Sequence, residues 1–238
     1  MTSEEDIKTL EQQVYQAPIL FEWEYIGSDI KGWLRLLLAI GGPGALFGSI
    51  VLFGARSTIG AYVGLSVMTL LFIFMVRYLF IPDSHYHYKL TKLGIHYTQE
   101  DLIPEMAYTL ARGFARVGIV VCLIALFVIG PLAFVGAGAF ALMAFGMTNF
   151  KSKIDQNIIL FSDANILFSL NNDVLINIEP MDEIEFNFVG TIYATSLAKK
   201  ESIIAELVPL LGEVEVVNIK RRNDIYKHPV FTSNQSEQ

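Results

Sequence analysis

The chain has 238 residues, 53% of them hydrophobic and only 17% charged, with a mean hydropathy of +0.47 and a net charge of -7. This composition excludes a disordered or collagen-like chain, and a single cysteine excludes a disulfide framework or a cysteine-rich zinc site. The acidic balance argues against nucleic acid as the main partner, because neutralising phosphate requires a basic surface.

In chain order, the first element is a short amphipathic helix with Ile7, Leu10 and Val14 on one face. Alternation through Phe21-Glu22-Trp23-Glu24-Tyr25 then predicts a strand. No early apolar core marks a cleavable signal peptide in the first thirty-five residues. Leu36 to Ala55 is twenty residues without an ionisable group. At 1.5 Å per residue that is about 30 Å, the thickness of a bilayer core, and predicts a spanning helix. Ser57 to Val76 predicts a second, continuing past Arg77 to Pro82, with Arg77 close enough to the boundary to snorkel. Gly44 with Gly48, and Gly60 with Gly64, have the spacing that lets helix backbones approach closely, within one chain or across a dimer.

The central segment predicts a hairpin: Tyr88-Lys89-Leu90-Thr91, a three-residue loop Lys92-Leu93-Gly94 with glycine in a left-handed position, and Ile95-His96-Tyr97-Thr98. Val117 to Phe150 is then a longer uncharged region with Gly130-Pro131 near its middle. It is either two short spans or one long tilted helix. Basic flanks at Arg112 and Arg116 and at Lys151 and Lys153 favour two, because both flanks then face the cytoplasm. With four spans, sixteen of the seventeen Lys and Arg lie on one side, Arg56 being the exception.

An offset of seventy-one residues carries the central hairpin onto a second one, with Leu90 over Phe161, Gly94 over Asn165 and Tyr97 over Phe168. It also carries the second predicted span onto a fourth, suggesting a duplicated unit. Further strands are expected at Asp173 to Ile178, Glu183 to Phe188 and Thr191 to Thr195. A helix from Leu197 to Leu211 follows, capped by Ser196, distorted by Pro209 and stopped by Gly212. Val214 to Ile219 closes the sheet, and the tail from His228 is expected to be disordered.

The expected fold is thus an α-helical integral membrane protein, four transmembrane helices in two hairpins, with a cytoplasmic α+β domain made of an antiparallel sheet and a C-terminal helix. Its parts are residues 1–30 (helix and strand), 33–81 (helix pair), 82–115 (hairpin and connecting helix), 116–150 (second helix pair), 151–227 (α+β domain) and 228–238 (tail). The stretch Tyr88 to Ile95, and Glu183-Ile184-Glu185-Phe186 through the helix ending at Leu211, resemble the opening hairpin and closing half of the bacterial pleckstrin-homology-like membrane domains. The resemblance implies a membrane-tethered binding or scaffolding module without catalytic residues.

Searching for chemistry yields little. His85, His87 and His96 fall within twelve residues, but the three-residue loop sets His96 on the opposite face from the other two, leaving a metal site short of ligands. Cys122 lies within an apolar span without a base beside it. Glu179, Asp182, Glu183 and Glu185 could be read as paired carboxylates, but Glu183 and Glu185 alternate with Ile184 and Phe186, which favours a solvated strand face. The predicted spans contain no Asp, Glu, Lys or His, which argues against ion-coupled transport. Lys220, Arg221, Arg222 and Lys227 form the dense basic patch, a candidate contact for lipid headgroups or a solvated end. No catalytic residue, metal or cofactor is expected.

The reading is a non-enzymatic protein of the bacterial inner membrane, both termini cytoplasmic, that binds a protein partner or scaffolds a membrane complex, with lipid and a partner or second copy as its contacts. The alternatives are an accessory, exclusion or immunity protein of a secretion or conjugation system, and a small transporter or enzyme using a cavity between helices.

Overall fold

A computed structural model describes residues 4–28, 30, 32–53, 59–130, 153–181 and 186–233. The element order is α1 (Glu4–Gln16), β1 (Phe21–Gly27), α2 (Gly32–Phe53), α3 (Ile59–Met75) running into a π-helical turn (Val76–Phe80), β2 (Ser84–Leu90), β3 (Gly94–Asp101) and α4 (Glu105–Ile129). Then come β4 (Ile154–Leu160), β5 (Ala164–Leu170), β6 (Leu175–Pro180), β7 (Gly190–Tyr193), α5 (Leu197–Leu207), β8 (Glu213–Ile219) and a short helix α6 (Pro229–Ser233).

The strands form two four-stranded sheets, ordered β1-β2-β3-β4 and β7-β6-β5-β8. The chain divides into a strand-built unit (1–26, 85–100 and 154–238) and a helical unit (27–84 and 101–153). This corrects the expected fold class: the protein is mixed α/β, not a four-span helical membrane protein with one antiparallel sheet. Uncharged length fixes how far a helix can reach, whereas architecture follows from which backbones pair, and among the described residues pairing builds eight strands. Among the described residues two helices are long and apolar enough to cross a membrane, Gly32–Val51 and Glu105–Ile124. The second expected span falls short, because α3 ends after 17 residues and gives way to the π-turn. The fourth, residues 131–150, lies outside the described residues.

The second sheet is mixed, since β5 pairs antiparallel with β6 but parallel with β8. The intervening α5 provides the crossover that a parallel pair needs. The duplicated hairpin is also corrected. β4 pairs with β3 and β5 with β6, so β4 and β5, consecutive in sequence, belong to different sheets. Asn165 explains why. It is fully buried, donates its amide N–H to the carbonyls of Ser162 and Leu211 and accepts from the Ser162 amide, which turns the chain out of one sheet into the next. Its likeness to Gly94 is one of position only, and neither residue has positive φ.

The β2–β3 turn is one residue tighter than expected. The Thr91 amide donates to Gly94 O at 2.9 Å, so Lys92 and Leu93 alone form the loop. Gly94 is required for a different reason than backbone sign: a Cβ there would lie 2.4 Å from Ile159 O on β4. The strand expected at Glu183 to Phe188 is corrected in part, with Phe186–Phe188 forming a 3-10 turn and residues 182–185 lying outside the described residues.

The core lies in the strand-built unit. Tyr88, Leu90, Ile95 and Ile159 from one sheet and Ile166, Leu167, Phe168, Ile176, Ile178 and Ile192 from the other are almost fully buried, joined by Ile203 and Leu207 of α5. Each such side chain contributes roughly 1.5–3 kcal/mol on burial. The helix is capped as its sequence predicts, the Ser196 hydroxyl accepting from the Lys199 amide, and Pro209 coincides with a terminal 3-10 turn. Pro229–Ser233, expected within a disordered tail, is helical, and Val230 and Phe231 pack against the core.

Candidate functional site

Strand alternation puts Phe21, Trp23 and Tyr25 of β1 on the core side and leaves Glu22 and Glu24 facing out. Opposite them on β2, His85 Nε2 lies 3.1 Å from Glu24 Oε2 and His87 Nε2 lies 3.7 Å from Glu22 Oε2, a cross-strand ladder of two histidines and two carboxylates. The tighter turn pairs Lys89 with His96, so His96 shares this outer face with His85 and His87. The sequence placed it on the opposite face because a loop one residue longer inverts every later side chain. Tyr15 of α1 covers His96, ring centroids 5.1 Å apart, and the His96 Nδ1 is buried without a hydrogen-bond partner among the described residues. Burial, together with the charges of Lys89 and His87, lowers the His96 pKa. Among the described residues no group of three or more His, Cys, Asp or Glu side chains converges as a metal site would.

At one end of the same unit is a half-open cavity of about 230 Å³. Its floor is apolar, from Leu10 of α1, Leu93 of the β2–β3 turn, Leu160 and Phe161 at the end of β4, and Leu210. Lys92, Ser162 and Asp163 supply polar groups at its wall. The backbone around it is already satisfied: Phe161 N donates to Leu93 O, Ser162 is bridged by Asn165, and Glu213 N donates to Asp163 O. Its volume is below the usual range for small-molecule pockets and suits a single side chain. Four segments distant in sequence build it, so no local motif could have announced it.

Buried polar groups hold the second sheet. Asn177 Nδ2 donates to Glu179 Oε1 at 2.6 Å, and Thr191 Oγ1 donates to Asn177 Oδ1 at 2.9 Å. Glu179 is 7% exposed, and desolvation raises its pKa despite the Asn177 bond. Glu183 and Glu185 lie outside the described residues. Lys200 of α5 donates from Nζ to the carbonyls of Leu170 and Asp173, at 2.6 and 2.9 Å, tying down the turn in which Asn172 has φ 56°.

The remaining sequence candidates are dispersed. Of the basic patch, Lys227 pairs with Asp224, Arg222 donates to the Tyr193 hydroxyl at 3.3 Å, and Lys220 and Arg221 are exposed. At Gly44, Gly48, Gly60 and Gly64 an added Cβ would meet nothing within 4 Å, so contacts within the described chain do not demand glycine there. Cys122 lies in α4, half exposed. Charge is strongly partitioned: the strand-built unit has 9 Lys and Arg against 20 Asp and Glu, net -11, and the helical unit 8 against 4, net +4.

The class these features define is a mixed α/β protein joining an acidic strand-built unit to a unit of long apolar helices. The whole chain, residues 1–238, matches the TsiV2 immunity protein family, and it belongs to that family. Among curated proteins it is similar to Immunity protein TsiV2 of Vibrio cholerae serotype O1 (strain ATCC 39315 / El Tor Inaba N16961), 34% identical over 236 residues, which is 98% of each chain. No solved structure matches. Of the functions considered from sequence, the immunity alternative is the one this relationship supports, ahead of a membrane scaffold.

Proposed function

We propose that this chain protects its own cell by binding and neutralising an antibacterial protein toxin. The observation that carries this reading is the similarity to an immunity protein over 98% of each chain. Neutralisation by binding asks for a stable surface and a partner, and it involves no chemical step. The acidic unit is suited to meet a basic partner, because opposite potentials steer association and exclude wrong partners. The cavity between Leu10, Leu93 and Leu210 is suited to take an apolar anchor from it. The exposed apolar residues of α2 and α4, including Leu36, Leu37, Ile40, Val120, Leu123 and Phe127, support attachment to the bacterial inner membrane.

The test is kin killing. A strain deleted for this gene should be killed by its parent in a mixed culture, and expression of the chain should restore survival. Survival of the deleted strain beside a parent shown to kill unrelated bacteria would overturn the reading. For the attachment, the chain should stay in the membrane fraction after alkaline carbonate washing, and its release would refute insertion.

A further inference from the structure

In the second sheet β8 is an outer strand, paired on one side only, with β5. The pairing is parallel, so alternate residues direct both backbone groups toward the neighbouring strand. Two bonds at its ends fix which residues do so: the Glu213 amide donates to Asp163 O, and Ile219 O accepts from the Asn171 amide. The odd-numbered residues therefore face β5. Val214, Val216 and Asn218 turn their N–H and C=O groups outward, and among the described residues none of those groups has a hydrogen-bond partner. The edge is also open to a partner strand, because Glu213, Glu215, Val216 and Asn218 are exposed, Val216 by 44%.

Exposed strand edges invite pairing, and proteins blunt them with short strands, proline, lysine or bulges. β8 has none of these. It is seven residues long, contains no Pro, Lys or Arg, and runs beside β5 in an unbroken one-to-one register. The opposite edge of the sheet is treated differently: β7 has four residues, and the Trp23 indole occupies its last carbonyl.

The charges at the two ends of β8 indicate what pairs with it. Its start carries Glu213 and Glu215, with Asp163 beside it, and His228 Nε2 lies 3.7 Å from Glu215 Oε2. Its end runs into Lys220, Arg221 and Arg222, with Lys227 one helical turn further on. Asp224 accepts from the Arg221 amide and pairs with Lys227, but the cations outnumber it. A strand acidic at one end and basic at the other is complementary to itself reversed. A uniformly basic strand from another protein would gain at Glu213 and Glu215 and be repelled at Lys220 to Arg222. Parallel pairing of two copies would set like charges together at both ends.

We infer that β8 pairs antiparallel with β8 of a second copy of this chain, about a two-fold axis near Val216, joining two four-stranded sheets into one. The outward groups of Val214, Val216 and Asn218 then meet the same groups of the partner. The acidic start of each strand lies beside the basic end of the other, with Glu213 within cross-strand or diagonal reach of the partner's Arg221. A single strand pair is a small interface, so association should be reversible and follow protein concentration.

The experiment measures the mass of the full chain in mild detergent by light scattering over a dilution series, with the detergent's share subtracted. A dimer that dissociates on dilution is the expected result. A monomer at every concentration overturns the proposal and leaves the edge to a strand of another protein. Val216→Pro removes the central outward N–H, which β5 does not use, and should abolish the dimer. Glu213→Lys and Arg221→Glu each set like charges together at both ends of the symmetric pair, and each should weaken association about tenfold. Combined, they restore opposite signs and should return the dimer to its original strength. Both positions are exposed, so these variants decide the matter even where Val216→Pro does not fold. A dimer indifferent to the charge variants is held by another surface and refutes the strand pairing, and loss in each single variant without recovery in the double refutes the antiparallel arrangement.

Discussion

The indole Nε1 of Trp23 donates a 2.9 Å hydrogen bond to the backbone carbonyl of Tyr193, joining the first strand of one sheet to the last residue of β7 in the other. The same indole stacks on Tyr88 at 4.9 Å and 16°, and Tyr25 stacks on Tyr193 at 5.0 Å and 18°. Aromatic residues that alternate along β1 therefore fasten the two sheets together. Trp23→Phe keeps the ring area but leaves the Tyr193 carbonyl without this donor, and should cost about 1–3 kcal/mol. Trp23→Ala should cost about 3–5 kcal/mol, because it also empties the stack. Chemical denaturation of both variants checks the order, and equal costs would show that the stacked ring contributes nothing beyond the hydrogen bond.

Glu179 gives stability a pH dependence of known sign. Its folded pKa is raised above the ordinary carboxylate value by burial, so the folded state holds the proton more tightly than the unfolded chain does. Its contribution is fully present below the unfolded pKa and is lost as pH rises through the folded one. Glu179→Gln keeps an oxygen for Asn177 Nδ2 without the charge. The variant should be more stable than the parent at pH 7.5, with the difference closing toward pH 4. A variant less stable at pH 7.5 would contradict the desolvation argument.

His96 acts in the opposite direction. Burial lowers its folded pKa, so in the window just below the ordinary histidine value the unfolded chain binds more protons. Stability should fall as the solution is acidified through that window. His96→Gln should remove this part of the acid sensitivity, measured as a smaller change in unfolding temperature between pH 7.5 and pH 5.5. An unchanged pH response would place the sensitivity outside His96.

Two glycines should resist replacement for different reasons. At Gly94 an alanine Cβ would meet Ile159 O at 2.4 Å, so the β3–β4 pairing must yield, costing about 1–3 kcal/mol. At Gly212 the Cβ would meet Asp163 O at 2.5 Å, and φ is also +66°, adding roughly 1–2 kcal/mol of backbone cost. Alanine at Gly44 or Gly60, where a Cβ meets no neighbour, should leave the stability of the isolated chain almost unchanged. A thermal unfolding series on the four variants tests the ranking.

If the cavity receives an anchor from the toxin, altering its wall should abolish protection while sparing the fold. Leu93 is 40% exposed, so Leu93→Asp should shift stability by less than about 0.5 kcal/mol. Protection from kin killing should nevertheless be lost, and Asp163→Lys should weaken it. Full protection by a stable Leu93→Asp chain would exclude the cavity as the contact.

Most local structure is legible in the sequence. Alternation through Phe21 to Tyr25 marks β1, the spacing of Ile203 and Leu207 marks the buried stripe of α5, and Ser196 marks its cap, because each depends on neighbours within a few residues. The apolar length of α2 and of α4 is likewise a property of contiguous chain. What failed depends on distant partners. One residue fewer in the Lys92-Leu93 turn moved His96 to the other face, and the amide of Asn165, bound to Leu211 forty-six residues away, sent β5 into a second sheet rather than a hairpin.

The candidate sites divide in the same way. Composition alone established an acidic, cysteine-poor chain with long uncharged stretches, since counting residues needs no geometry. Tertiary structure decided that Glu179 is buried, that Leu10, Leu93, Leu160 and Leu210 surround one cavity, and that β8 lies at a sheet edge. The reason is physical: burial and electrostatic environment are properties of the space around a side chain, and strands and helices far apart in the sequence fill that space.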